Sequence, residues 1–70
     1  MSDRDHGVIV HWNTRGYGFI RPDSAERDVF FHASEVGDAE PRIGERVSYE
    51  AVTDRLQRPC AKQVRFESNP

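Results

Sequence analysis

The stretch Arg15-Gly16-Tyr17-Gly18-Phe19-Ile20-Arg21 alternates strictly, and this restricts the chain more than any other feature. Side chains along a strand point to opposite faces with a period of two. As a strand, the segment sends Arg15, Tyr17, Phe19 and Arg21 to one side and Gly16, Gly18 and Ile20 to the other. A core-facing side would be aliphatic. Aromatics flanked by two guanidiniums mark a face turned to solvent. A second alternating stretch, Asp28-Val29-Phe30-Phe31-His32-Ala33, follows a polar turn. It places Phe30 and His32 on one side and Val29, Phe31 and Ala33 on the other. Together the two stretches predict a sheet with an aromatic outer surface and an aliphatic inner one, and the outer surface is the candidate functional site.

The alternative is that Tyr17, Phe19 and Phe30 are core, the usual fate of an aromatic. Both faces of the two strands would then be buried. That requires a second layer of structure, for which 70 residues are too few. A chain of this length forms one domain whose single core supplies only ~3–5 kcal/mol. Cys60 is the only cysteine, so no internal disulfide reinforces it, and a free thiol suits a reducing cytosol. A closed barrel makes efficient use of a small apolar complement and removes exposed sheet edges.

The remaining segments fit that architecture. Residues 1–6 are polar and are expected to be a flexible lead-in. Gly7 to Trp12 is rich in β-branched residues and reads as a first strand, joined to the aromatic strand by a short turn at Asn13-Thr14. Pro22 to Arg27 is a turn by composition, and the strand of residues 28–33 completes a three-stranded meander. Ser34 is a candidate cap for one helical turn. Residues 37–42 form a loop. A fourth strand, residues 45–52, buries Val47, Tyr49 and Ala51 and exposes Arg46, Ser48 and Glu50. A polar loop with Arg55 and Arg58 leads to a fifth strand at about 60–66. There Lys62 shares a face with Cys60, Val64 and Phe66, which suggests an edge position or partial burial with the Lys head in water. Residues 67–70 are a tail. Five strands and no long helix indicate an all-β domain over residues 7–66.

Charge and composition narrow the function. The net charge is −2, which argues against a protein that holds nucleic acid chiefly by neutralising phosphates. Nine of the ten basic residues are arginine, and arginine stacks on a base plane as well as binding phosphate. A GC-rich genome explains the same bias equally well. His6, His11, His32 and Cys60 lack metal-ligand spacing, so no metal is expected. No nucleophile–base dyad, dinucleotide fingerprint or phosphate loop is present, so neither a catalytic residue nor a cofactor is expected. No run is long enough to span a membrane and no signal-peptide core is seen at residues 1–6, so a cytoplasmic location is expected. An aromatic face of this kind stacks unpaired bases or docks another protein as an interaction barrel.

The residues also resemble a known family. Arg15-Gly16-Tyr17-Gly18-Phe19-Ile20 is similar to the first ribonucleoprotein motif of cold-shock domains, Lys-Gly-Phe-Gly-Phe-Ile, and Val29-Phe30-Phe31-His32 to the second, Val-Phe-Val-His. Gly7, Trp12, the segment Gly44 to Tyr49 and Pro59 extend the match over residues 7 to about 66. The resemblance implies a five-stranded antiparallel barrel of the OB type, acting as a monomer. It implies binding of single-stranded RNA and DNA, often pyrimidine-rich, with RNA-chaperone or regulatory activity. Carried over by position, Tyr17, Phe19, Phe30 and His32 form the stacking platform and Arg15 takes the place of the motif lysine. Trp12 falls on the second of two aromatic positions ending the first strand, and His11 on the first. Trp12 is expected to serve binding rather than to cap the barrel. His11 shares a face with Ile9 if alternation holds. Arg21 and Arg58 are candidate phosphate or stacking contacts. The chain departs from the family's pattern in four places: a shorter turn at Asn13-Thr14, Val8-Ile9-Val10 in a first strand usually rich in lysine, Ala33 after the second motif, and no aromatic in residues 37–44. A smaller stacking surface and weaker binding than in a typical member follow.

Overall fold

Apolar side chains recurring every second residue fold this chain around a single interior. A computed structural model describes residues 4–37 and 40–67. Its strands are β1 (Asp5–Asn13), β2 (Tyr17–Pro22), β3 (Val29–His32), β4 (Arg46–Thr53) and β5 (Pro59–Phe66), with one 3-10 turn at Ala33–Glu35. They close into a barrel in the order β1-β2-β3-β5-β4. Four of the pairings are antiparallel. The fifth, between β3 and β5, is parallel, with Phe30 opposite Cys60 and Phe31 opposite Ala61. The expected all-antiparallel barrel is therefore a mixed one, because the chain crosses from β3 through β4 before β5 returns alongside β3. β5 lies between β3 and β4 and is not an edge strand.

The interior is filled by Ile9, Ile20, Val29, Phe31, Val36, Val47, Tyr49, Ala61 and Val64, with Trp12 and Phe66 packed against them. Two local irregularities, one in β1 and one in β5, decide which residues reach it. In β1 the register slips between Ile9 and His11: Ile9 faces Ile20 while His11 faces Phe19, so Val10 is an extra residue. β4 itself keeps its alternation, but Ala51, paired with buried Ala61, is exposed rather than buried. In β5, Gln63 adopts φ 51°. Two consecutive exposed residues, Lys62 and Gln63, then separate buried Ala61 from buried Val64. The Gln63 N–H donates to Glu35 Oε1 at 3.1 Å, which holds the kink. Cys60, Lys62, Val64 and Phe66 therefore do not share a face as expected.

Residues 1–3 of the expected lead-in and 68–70 of the expected tail lie outside the described residues, and the neighbouring residues that are described are tied to the barrel. Asp5 and His6 pair with Tyr49 and Ser48 of β4, so β1 starts inside the expected lead-in. The Glu67 N–H donates to Arg46 O at 3.0 Å, and the Glu67 carboxylate pairs with His6. The 3-10 turn is capped by His32, whose Nδ1 accepts the Ser34 N–H at 3.2 Å. Ser34, the expected cap, lies within the turn.

Gly18 sits on the inner side of β2. A Cβ there would stand 2.5 Å from His11 O and 2.8 Å from Phe31 Cζ. Gly18→Ala is expected to destabilise the fold by about 1–3 kcal/mol through overpacking, read as a lower urea midpoint at unchanged slope. Burial, reinforced by the charges of Asp5 and Asp23, pushes the Tyr49 phenol up to about 12. The folded state then holds a proton that the unfolded chain releases near pH ~10. This contribution to stability is complete below that pH and is lost as pH rises toward the folded value. Alkaline titration of the melting temperature should show a decline in that window, and Tyr49→Phe should flatten it.

Candidate nucleic-acid interface

The outer faces of β1, β2 and β3 carry five aromatic side chains. Tyr17 and Phe19 come from β2, Phe30 and His32 from β3, and His11 from β1. Ladder pairing sets Tyr17 opposite His32 and Phe19 opposite Phe30. Four rings form a contiguous surface. Centroids are 5.9 Å apart for Tyr17–Phe30 and for Phe19–Phe30, 6.4 Å for Tyr17–Phe19 and 5.8 Å for His11–Phe19. These are the spacings of interacting aromatic pairs. Phe30 is 36% exposed. Tyr17 and Phe19 are half-buried, and His11 and His32 are exposed. His32 Nδ1 lies 3.1 Å from Ser34 Oγ and also accepts the Ser34 N–H. This fixes the ring and, in the neutral imidazole, leaves the proton on Nε2.

The bulge at Val10 turns His11 outward and Trp12 inward, the opposite of what strict alternation from Ile9 gives. Because β1 gains one residue over β2, Val10 and His11 are both exposed in succession, and His11 joins the platform. Trp12 turns the other way. It stacks on buried Phe31 with centroids 5.7 Å apart and planes at 11°, packed against the core. A bulge adds a residue without changing composition, so strict alternation misassigned both side chains.

The three candidate arginines differ. Arg15 lies in the β1–β2 turn, held by a hydrogen bond from its N–H to Asn13 Oδ1 at 2.8 Å. Among the described residues its guanidinium has no ion-pair partner. Arg21 Nε pairs with Asp28 Oδ1 at 2.6 Å, a hydrogen bond that raises the Arg21 pKa further above its ordinary value. Arg58 Nε pairs with Asp54 Oδ2 at 3.0 Å, and hydrogen bonds from Arg58, chiefly its backbone N–H, hold the Asp54 carboxyl below its usual range. Tyr17 and Phe19 thus have one unpaired cation nearby in sequence and one whose charge is already matched.

Beside Phe19 and Phe30 a groove continues to the β4–β5 loop, reaching Leu56, Gln57 and Cys60. Sequence reasoning missed these residues. Their place beside Phe30 depends on the parallel β3–β5 pairing, which local patterning does not encode. Burial pushes the Cys60 thiol up, so it lacks the thiolate character of a nucleophile. Among the described residues, no group of three or more His, Cys, Asp or Glu is placed to hold a metal ion, and no helix is long and apolar enough to cross a membrane.

The model of the 'Cold-shock' DNA-binding domain matches residues 5–66. The chain is 49% identical over 53 residues to y4cH of Sinorhizobium fredii, described as a probable cold shock protein, covering 70% of this chain and 77% of that protein. It is 46% identical over 52 residues to the cold shock protein CspA of Rhizobium meliloti, covering 69% and 75%. A solved chain of Drosophila Unr, CSD456, superposes with a TM-score of 0.83 at 25% identity, covering 96% of this chain, which spans 28% of the Drosophila one. With this barrel and this exposed aromatic face, the chain belongs to the cold-shock domain family of nucleic-acid-binding proteins.

Proposed function

We propose that the protein binds single-stranded RNA and DNA by stacking unpaired bases on His11, Tyr17, Phe19, Phe30 and His32. The observation that supports this most directly is the continuous ring surface on the outer face of β1–β3, beside an exposed Arg15. Stacking contributes ~1–3 kcal/mol per base and tolerates any base, since each has a π-face. Three or four stacked bases, less the cost of ordering a flexible strand, correspond to dissociation constants on the order of micromolar. Binding of low base selectivity to unpaired strands, followed by quick release, shifts RNA away from misfolded pairings by mass action, which is RNA-chaperone behaviour without chemistry. In this reading the chain acts as a cytoplasmic monomer and favours pyrimidine-rich strands, whose smaller bases are the least costly to unstack.

Trp12 stacks on Phe31 rather than on the platform, so its fluorescence reports binding only indirectly. Anisotropy of a fluorescein-labelled oligo-dT strand is the direct test. The wild type is expected to bind at low salt with a dissociation constant of about 1–10 µM. Phe30→Ala should weaken binding by ~1–3 kcal/mol and leave the cooperative thermal transition in place. A wild type that fails to bind at high micromolar strand would favour a protein-docking role for the same face. Loss of the thermal transition in Phe30→Ala would mean that the ring is structural.

A further inference from the structure

Ala51 is exposed on the inner side of a regular strand, and the reason lies at one end of the barrel. Along β4, Val47 and Tyr49 are buried, whereas Ala51, the next inward residue, is not. Its cross-strand partner Ala61 is buried. The barrel therefore opens at this end. The opening is a shallow cavity of about 390 Å³ whose apolar lining includes Val29, Ala51, Pro22 and Pro59. That volume is within the range of small-molecule sites, which favour the mouths of β-barrels.

Two polar groups reach the cavity from adjacent strands. Tyr49 is 1% exposed, and among the described residues its hydroxyl has no hydrogen-bond partner. No buried side-chain oxygen or nitrogen among those residues lacks a partner. The Tyr49 oxygen is therefore not sealed in, and it opens on the cavity that Tyr49 lines. Asp5 stands directly opposite Tyr49 in the β1–β4 pairing. Opposed residues of an antiparallel pair project to the same face, so the Asp5 carboxylate enters the cavity on the side of the phenol. It has no ion-pair partner among the described residues.

The inner end of the cavity is electronegative. After burial, the influences that push the Tyr49 phenol up are the charges of Asp5 and Asp23. Asp23 is matched by Arg46, whereas Asp5 is not. Arg27, the only cation among the described lining residues, comes from the β2–β3 turn and is not among the charges that act on the phenol. An anion, a phosphate included, would face the Asp5 carboxylate and be repelled. A neutral apolar molecule would desolvate that carboxylate without pairing it, which is costly.

We propose that the open end of the barrel binds a small organic ammonium ion, whose N–H groups donate to the Asp5 carboxylate and the Tyr49 hydroxyl and whose apolar body rests on Val29 and Ala51. The proposal is independent of the strand-binding reading, since none of the five platform rings lines this cavity.

The test is a titration of the ¹⁵N-labelled full chain with phenethylammonium chloride at neutral pH, followed by amide NMR, with phenylacetate as an anion carrying a similar aromatic body. The amides of Asp5, Tyr49 and Ala51 should shift saturably with a dissociation constant on the order of millimolar, as so few ligand atoms allow. Phenylacetate should leave them in place. Asp5 and Ala51 are both exposed, so replacing them leaves the packed interior intact. Asp5→Asn keeps the shape, removes the charge and should weaken binding about fivefold. Tyr49→Phe should weaken it about three- to tenfold. Ala51→Leu fills the mouth and should abolish the saturable shifts. Absence of saturable shifts in the wild type at tens of millimolar ammonium would overturn the site. Equal shifts with phenylacetate, or undiminished binding by Asp5→Asn, would overturn the ligand class. Undiminished binding by Ala51→Leu would overturn the location.

Discussion

Gly18 and Phe31 compete for one volume, and most of the structure depends on how that competition is settled. A Cβ on residue 18 would occupy the place of the Phe31 ring and press on the His11 carbonyl. Without it, Phe31 enters the interior and Trp12 covers it. With Phe31 fixed inside, the two-residue period of β3 leaves only the outer face for Phe30 and His32. Gly18 equally forces its neighbours Tyr17 and Phe19 outward. The exposed aromatic face is therefore the other side of a packing solution in the core.

How much of this was legible in the sequence depended on whether the alternation was unbroken. β2 and β3 are regular, and the faces assigned to Tyr17, Phe19, Phe30 and His32 match their positions. β1 and β5 each contain one extra residue, and there the period-two reading failed. It gave His11 and Trp12 the wrong sides and grouped Lys62 with Val64, while Ala51, on regular β4, is exposed although its partner Ala61 is buried. A bulge or a left-handed residue such as Gln63 is stabilised by tertiary partners, here Glu35, that lie far away in sequence. The Asp54 loop had a local signal that was not used: an aspartate two residues before Leu56, positioned for an Asx turn. Its position beside the platform had none, since it follows from a parallel pairing closed only by the whole barrel.

The arginine content also takes on a different meaning. Arg46 pairs with Asp23 at 2.6 Å and approaches Glu67 at 4.0 Å, and Arg4 donates to Ser48 O at 2.8 Å and to Gln63 O. Arg21 and Arg58 have carboxylate partners of their own. Exposed pairs of this kind add little to stability. Their main effect is on the field around the protein, where three of the nine arginines, Arg21, Arg46 and Arg58, are already matched by carboxylates. A chain of net charge −2 can then present a nearly neutral face to a polyanion and depend on stacking for its affinity.

The short parallel seam between β3 and β5 also bears on how the barrel assembles. β1, β2 and β3 are consecutive in sequence and joined by tight turns, so their contacts close small loops at low entropic cost. The seam joins Phe30 to Cys60 across half the chain and consists of two residue pairs. Contacts of such separation form late when topology governs folding. The topology therefore predicts that the aromatic platform is organised early, as part of the meander. β5 docks alongside it afterwards, in the step that also completes the barrel.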